Sequence, residues 1–428
     1  MPKVYGIENR RRKQESKVWM KKETVKQFME YFLGGLIVLA LVIPNTTNFK
    51  ERNAFSDEKR LEEAMELYRA ETLGDSVTLV PGEYYDRGKF FTFFLGEKNR
   101  GMWTTPVTAA VFDYEKAKGG LEPVGVGGSN QTISIDLADS AGREWELRSM
   151  NKDQKNALPK LLRPTFLRFM FRDQVAAMNP YASLVVPVLS EAIDIHHVEP
   201  KLYFVPYNEE YGKYNERMAG RLAYLEADLD SSWEGSEEFG EPEEVVEFDE
   251  MMEIRKKDEV PIDEQLYLKS RLFDMLISDW DRHEGQWEWA LVEKGGEEIF
   301  EPIPVDRDNA FYTFNEGALS HLALLLNKKF QSFRKDYGKV SGLMKQSAKQ
   351  DVMILADVPL ADFVETAREI QEELTDEVIH KAFKQYPEPV YEMKGKEHEE
   401  ILKVRLEKLP EAAAEFFHLI QKKNRKNS

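Results

Sequence analysis

Residues 278–289 read SDWDRHEGQWEW, and residues 303–309 read IPVDRDN. The first stretch follows a run with Leu268, Leu272 and Leu276 at i, i+4 and i+8, and with Phe273 and Ile277 beside them. That spacing predicts a helix over 264–278 packed into a core. Asp281, Arg282 and His283 then fall on a loop just past a helix end, and Gln286 lies five residues after Asp281. Residues 287–292 and 299–305 predict two strands around a Gly295-Gly296 turn, the second delivering Asp306 and Asp308. A loop after a helix and a loop after a strand each present carboxylates, and the short hairpin brings them together. Phosphoryl transfer needs one carboxylate to orient an acceptor hydroxyl, and a second carboxylate and an amide to hold Mg²⁺ or Mn²⁺. The protein supplies mostly position and charge.

The rest of the chain bounds that reading. Its 428 residues suffice for two lobes, and 42% hydrophobic with 32% charged residues is a globular composition. A formal net charge of -18 argues against a nucleic-acid partner, which needs a basic face. The absence of cysteine removes disulfides, zinc-thiolate sites and thiol nucleophiles. Asp306-x-Asp308 is not a calcium loop, because Phe311 and Gly317 stand where its glycine and glutamate belong. His196 and His197 are adjacent in a predicted extended segment and point apart, so they are expected to be structural. Asp279 is expected to brace the helix end, and Trp280, Trp287 and Trp289 to be core.

Residues 1–27 form a basic tail, and 28–44 an apolar run that as a helix would span roughly 26 Å, just short of the ~30 Å hydrocarbon layer. The basic flank predicts a cytoplasmic amino terminus, hence a membrane signal-anchor with the remainder extracytoplasmic, in the cell envelope. Residues 45–83 read as a helical linker. Residues 84–226 read as a β-rich lobe: an aromatic-rich start expected to pack on the body, a glycine segment at 119–128, a strand pair at 132–137 and 144–150, two helices broken at Asn179-Pro180, and strands at 201–205 and 221–225. The acidic stretch 227–262 reads as a partly flexible inter-lobe connection. Residues 263–428 read as a helical lobe.

The Asp-Arg-His loop followed by a strand-borne Asp resembles the catalytic and metal loops of atypical kinases: phosphatidylinositol kinases, HipA-type kinases, CotH spore-coat kinases and secreted Golgi casein kinases. Leu272 to Phe314 is more closely similar to a module of bacterial surface proteins that carry calcineurin-like phosphoesterase and outer-membrane barrel domains. The resemblance extends over about residues 84–420, through Trp103-Thr104-Thr105-Pro106-Val107 and Asn179 to Pro187. It implies an α+β, two-lobed protein-kinase-like fold with a hydrophobic N-terminal helix, binding ATP with Mg²⁺ or Mn²⁺ between the lobes and transferring phosphate to an unknown acceptor. By position it implies Asp281 as catalytic Asp with His283 supporting its loop, and Gln286, Asp306 and Asp308 as metal ligands. Gly125, Gly127 and Gly128 would cover the nucleotide, Arg148 or Lys152 would meet its phosphates, and Asp173 would orient that cation. Arg148 stands where these families place a Lys, and Gln286 where they place an Asn. The alternatives are a pseudokinase scaffold holding an envelope protein and a metal-dependent phosphoesterase using the same carboxylates.

Overall fold

The computed structural model describes residues 24–39, 57–71, 73–128, 132–154, 158–163, 165–314, 316–318, 320 and 328–427. Residues 24–39 are helical and exposed along their length. Among the described residues no helix is long and apolar enough to cross a membrane, so the expected membrane helix over 28–44 is not met there. Its last five positions, 40–44, lie outside the described residues.

The first lobe is built on a seven-stranded sheet. Its strands are β1 (Ser76–Leu79), β2 (Val107–Val111), β3 (Leu121–Gly125), β4 (Ser134–Asp139), β5 (Glu144–Ser149), β6 (Lys201–Val205) and β7 (Arg221–Ala227), in the spatial order β1-β2-β6-β7-β5-β4-β3. Only β2 and β6 pair in parallel. Alternation along β4, β5 and β7 sorts the faces. Ile135, Leu137, Leu147, Ala223 and Leu225 are buried in one core cluster. The opposite face carries Ser134, Asp136, Glu146, Arg148, Tyr224 and Glu226, matched across the strands in register. Between β5 and β6 run α1 (Phe166–Asp173), started by Thr165 capping Leu167, and α2 (Ala182–Ala192). Tyr84, Tyr85 and Trp103 enter the core as the aromatic-rich start suggested, but Phe90 and Phe93 stay exposed.

The second lobe is mainly helical. Helix α3 (Glu264–Leu276) begins where Asp263 accepts a hydrogen bond from the Leu266 amide at 2.9 Å. It lies buried among α4 (Ala348–Leu355), α5 (Leu360–Glu373), α6 (Asp376–Phe383), α7 (Lys396–Glu407) and α8 (Leu409–Asn427). Its carboxyl end is closed from outside. The buried Arg405 of α7 donates to the Leu276 and Met275 carbonyls at 2.6 Å each, and to those of Arg334 and Asp336 at 3.0 and 2.9 Å. A cation on the orphan carbonyls of a helix end satisfies them and favours the dipole. That end carries the 279–286 loop.

A three-stranded antiparallel sheet joins the lobes, in the order β10 (Glu297–Pro304), β9 (Trp287–Lys294), β8 (Glu244–Glu247). The hairpin of β9 and β10 forms as its glycine turn predicts. The acidic stretch is not a loose linker. Its Val245 and Val246 are buried side by side between Glu244 and Glu247 in β8, which pairs with β9, and Trp233 and Phe239 are buried. A helix over Phe248–Asp258 completes the stretch.

Candidate functional site

Two loops meet at the lobe junction, and each carries the pattern Asp followed by Arg. Arg282 is fully buried and donates to the carbonyls of Val305 and Gln286 at 2.7 Å each, with Nε 3.2 Å from Asp274. Arg307 donates from Nε to Asp274 at 3.0 Å and from a terminal nitrogen to Ser190 of α2 at 3.2 Å. Arg271, one turn before Asp274 on α3, adds a third guanidinium at 2.9 Å and is itself held by Asp351 at 2.8 Å. One buried carboxylate therefore anchors both loops, through the arginine that follows Asp281 and the arginine that follows Asp306. Burial alone pushes the Asp274 carboxyl up, but Arg282, Arg307 and Arg271 outweigh it and hold the group below its usual range. An Arg282→Lys substitution keeps the charge but loses the fork that bridges two carbonyls. It is expected to cost on the order of 3 kcal/mol in urea unfolding, because two charge-assisted hydrogen bonds are lost inside the protein.

Asp281 is half-buried, and one of its oxygens accepts from Gln346 Nε2 at 2.8 Å. Its other oxygen accepts no hydrogen bond among the described residues. The backbone amide of Asp281 donates to Asp279 at 3.2 Å, so Asp279 braces the loop itself while Arg405 closes the helix end. Asp306 ends β10 in the left-handed region, with φ 52°. This conformation costs most residues about 1–2 kcal/mol, and Asp tolerates it better than most. The turn brings the Asp306 and Asp308 carboxyls close enough to act on one another electrostatically. Gln286 Nε2 donates to Asp306 at 3.3 Å, and Asn309 donates to Asp308 at 2.9 Å.

From the sheet above come two cations. Arg148 reaches Asp306 at 3.0 Å, and Lys152 pairs with Asp308, so both ion pairs cross between lobes. Arg148 is also held by Glu146 at 2.5 Å and Glu226 at 3.4 Å. Burial would raise the Asp306 carboxyl, yet Arg148 and Lys152 hold it below the usual range. Asp308 behaves oppositely: burial and the adjacent Asp306 push it up, against the pull of Lys152. Glu226 rises to about 7, chiefly through burial.

Among the described residues no three histidine or carboxylate side chains converge as a metal cluster. Asp306 and Asp308 are two, and the Gln286 side chain beside Asp306, which now donates from Nε2, would offer its amide oxygen as a third donor by rotating. That set suits a divalent ion such as Mg²⁺, which keeps several waters and takes one or two carboxylates plus phosphate oxygens.

Two expectations need correction. Asp173 does not orient Arg148 or Lys152. It is buried against Arg100, bonded at 2.9 and 2.5 Å, and against Arg87 at 3.4 Å. Glu146 and Glu226 hold Arg148 instead. The His283 ring is exposed and makes no hydrogen bond among the described residues. The loop is braced by Arg282, with the His283 carbonyl accepting from the Gln286 amide at 3.0 Å. The glycines expected to cover a nucleotide lie against the sheet face. A Cβ on Gly127 would stand 2.5 Å from Asp136 Oδ1 and 2.6 Å from Ser134 Oγ, and one on Gly125 would collide with the same Asp136 carboxyl. Gly128 adopts φ 94°, which favours glycine. Residues missed from the sequence are Glu146, Glu226, Gln346, Asn309 and Asp274. The one local signal was the repeated Asp-Arg.

No family model matches the chain, and no curated protein does. Among solved structures, the crystal structure of a Helicobacter pylori proinflammatory kinase, CtkA, is similar at 14% identity with a TM-score of 0.33, over 72% of this chain and 97% of that one. The likeness is loose at that score, and the chemistry of the cleft rests on its own residues. A sheet-rich part joined to a helical C-terminal part is compatible with a two-lobed kinase-like arrangement.

Proposed function

We propose that this is a kinase-like protein whose inter-lobe cleft binds the phosphates of ATP with a divalent ion and passes a phosphoryl group to an acceptor hydroxyl. The observation that carries this reading is the crossing of Arg148 and Lys152 onto Asp306 and Asp308, with Gln286 on Asp306 and Asp281 on the adjoining loop. When bound, Mg²⁺ or Mn²⁺ would neutralise phosphate charge, with Asp306, Asp308 and Gln286 as its protein ligands. Arg148 and Lys152 would turn from those carboxylates to phosphate oxygens. Glu146 and Glu226 would keep Arg148 placed while it does so. Asp281, fixed through one oxygen by Gln346, would use its other oxygen to orient the acceptor hydroxyl and receive its proton. The same proposal tethers the cleft outside the cytoplasm through residues 28–44, on the strength of the basic flank and apolar run alone.

A second reading, binding without transfer, is favoured by the three carboxylates that already hold Arg148. The full chain with ATP and Mn²⁺ is the test, read first as thermal stabilisation and then as transfer to broad protein, glycan and lipid acceptors. Transfer by the wild type that falls at least 100-fold in Asp281→Asn supports the enzyme. Stabilisation with equal background transfer in both supports the scaffold. No stabilisation by ATP and Mn²⁺ together overturns both.

A further inference from the structure

The phenylalanines of the aromatic-rich segment have no place in the cleft chemistry. Residues Lys89–Leu95, KFFTFFL, form a short helix that buries only Thr92 and Leu95. Phe90 and Phe93 are 71% and 68% exposed, and Phe91 and Phe94 are 42% and 37% exposed. Their rings lie against one another: the Phe90 centroid is 5.3 Å from that of Phe94 and 5.6 Å from that of Phe91, and Phe93 is 5.0 Å from Phe94. Helix α1 packs beside them, with Phe91 5.7 Å from Phe169, and exposes Leu167 and Phe171 one turn apart. Single apolar side chains in solvent are ordinary, but a contiguous group marks a surface that is covered in use. The charge around this surface is equally uneven. The chain has a net charge of -18, yet the phenylalanine helix contains no acidic residue, and the one acid of α1, Asp173, is fully buried against arginines. Exposed Lys89 opens the first helix, exposed Lys160 precedes the second, and Arg163 and Arg168 are half-buried there. The exposed carboxylates nearest the phenylalanine helix along the chain, Asp86 and Glu97, stand beyond its two ends.

We infer that this face seats on the headgroup layer of an anionic lipid surface, with the phenylalanines entering the acyl boundary and Lys89 and Lys160 meeting lipid phosphates. A helix with aromatic side chains on the outside and cations at the edge binds such an interface by area and charge together. A second copy of the chain fits less well, since a symmetric contact sets the same cations against each other. Neither phosphoryl transfer nor the tether through 28–44 is required. The seating fixes which face of the first lobe lies against the lipid.

The chain has no cysteine, so Phe93→Cys in the full chain carries a single polarity-sensitive fluorophore within the patch. Glu369→Cys, exposed on α5 in the second lobe, carries the same label as the comparison. Each protein is titrated with phosphatidylcholine vesicles, with and without phosphatidylglycerol. The expected result is a shift of emission to shorter wavelength at position 93 with the anionic vesicles, at least tenfold weaker affinity for the neutral ones, and no shift at position 369. A chain held only through its amino-terminal region would leave both labels in water. Adding Lys89→Glu and Phe90→Ser to the protein labelled at 93 is expected to weaken anionic-vesicle binding at least tenfold. The melting temperature should hold, since both side chains are exposed and an acid suits the first turn of a helix. No shift at 93, an equal shift at both labels, equal affinity for the two vesicle types, or affinity unchanged by the added pair each overturns the inference. So does a shift that grows with protein concentration without vesicles, which would give the face to a second copy.

Discussion

Asp274→Ala is expected to destabilise the protein by about 3–5 kcal/mol or more, the range for breaking a buried ion pair from one side. The residue touches no proposed ligand. Its loss would leave Arg282 and Arg307 as buried charges without their carboxylate, while Arg271 would keep Asp351. A domain is stable by only ~5–15 kcal/mol, so this is a large fraction of the whole. Asp274→Asn separates charge from shape, since the amide fills the same space and can bond one guanidinium poorly at best. Urea unfolding measures both variants. A loss under about 1 kcal/mol in Asp274→Asn would mean that the three arginines are neutralised elsewhere, and the two-loop anchor would have to be abandoned.

The second large effect is functional. Asp306→Asn is expected to abolish stabilisation by ATP and Mn²⁺, with at least a 100-fold rise in Kd, while leaving the fold intact. Asn is chosen over Ala because the backbone at φ 52° suits Asn nearly as well as Asp. The neighbours also survive the change: Arg148 keeps Glu146 and Glu226, and Lys152 keeps Asp308. Isothermal titration at fixed Mn²⁺ gives the Kd, and a melting curve without ligand verifies folding. Unaltered affinity in a folded Asp306→Asn protein would remove this carboxylate from the metal-binding role.

What the sequence made legible was local. The helix before Asp281, the glycine-turned hairpin and the strand ending at Asp306 are each set by periodicity or turn chemistry within ten to fifteen residues, and the fold has all three. The sheet face carrying Arg148 follows from the alternation in β4 and β5. What was not legible depends on partners far apart in the chain. Asp173 and Glu226 are both acidic residues near predicted elements, and only the folded sheet shows that Glu226 lies across from Arg148's neighbour while Asp173 turns to Arg100. The acidic stretch hid a strand because two valines carry its apolar signal amid glutamates. His283 looked like part of the loop's support because of its place beside Asp281 and Arg282, and burial went to the arginine instead.

The two ion pairs across the lobes have a consequence for how the cleft could be filled. Its cations are not waiting in solvent, because each already has a carboxylate. A phosphate arriving alone must separate Arg148 or Lys152 from an aspartate and leave that aspartate uncompensated. A divalent ion arriving alone must displace Arg148 back onto Glu146 and Glu226, or Lys152 from its carboxylate. Arriving together, each supplies what the other displaces, and the sum of charge hardly changes. Under the proposed function, a site wired like this would work as a coincidence detector, discounting either signal alone and responding to the pair.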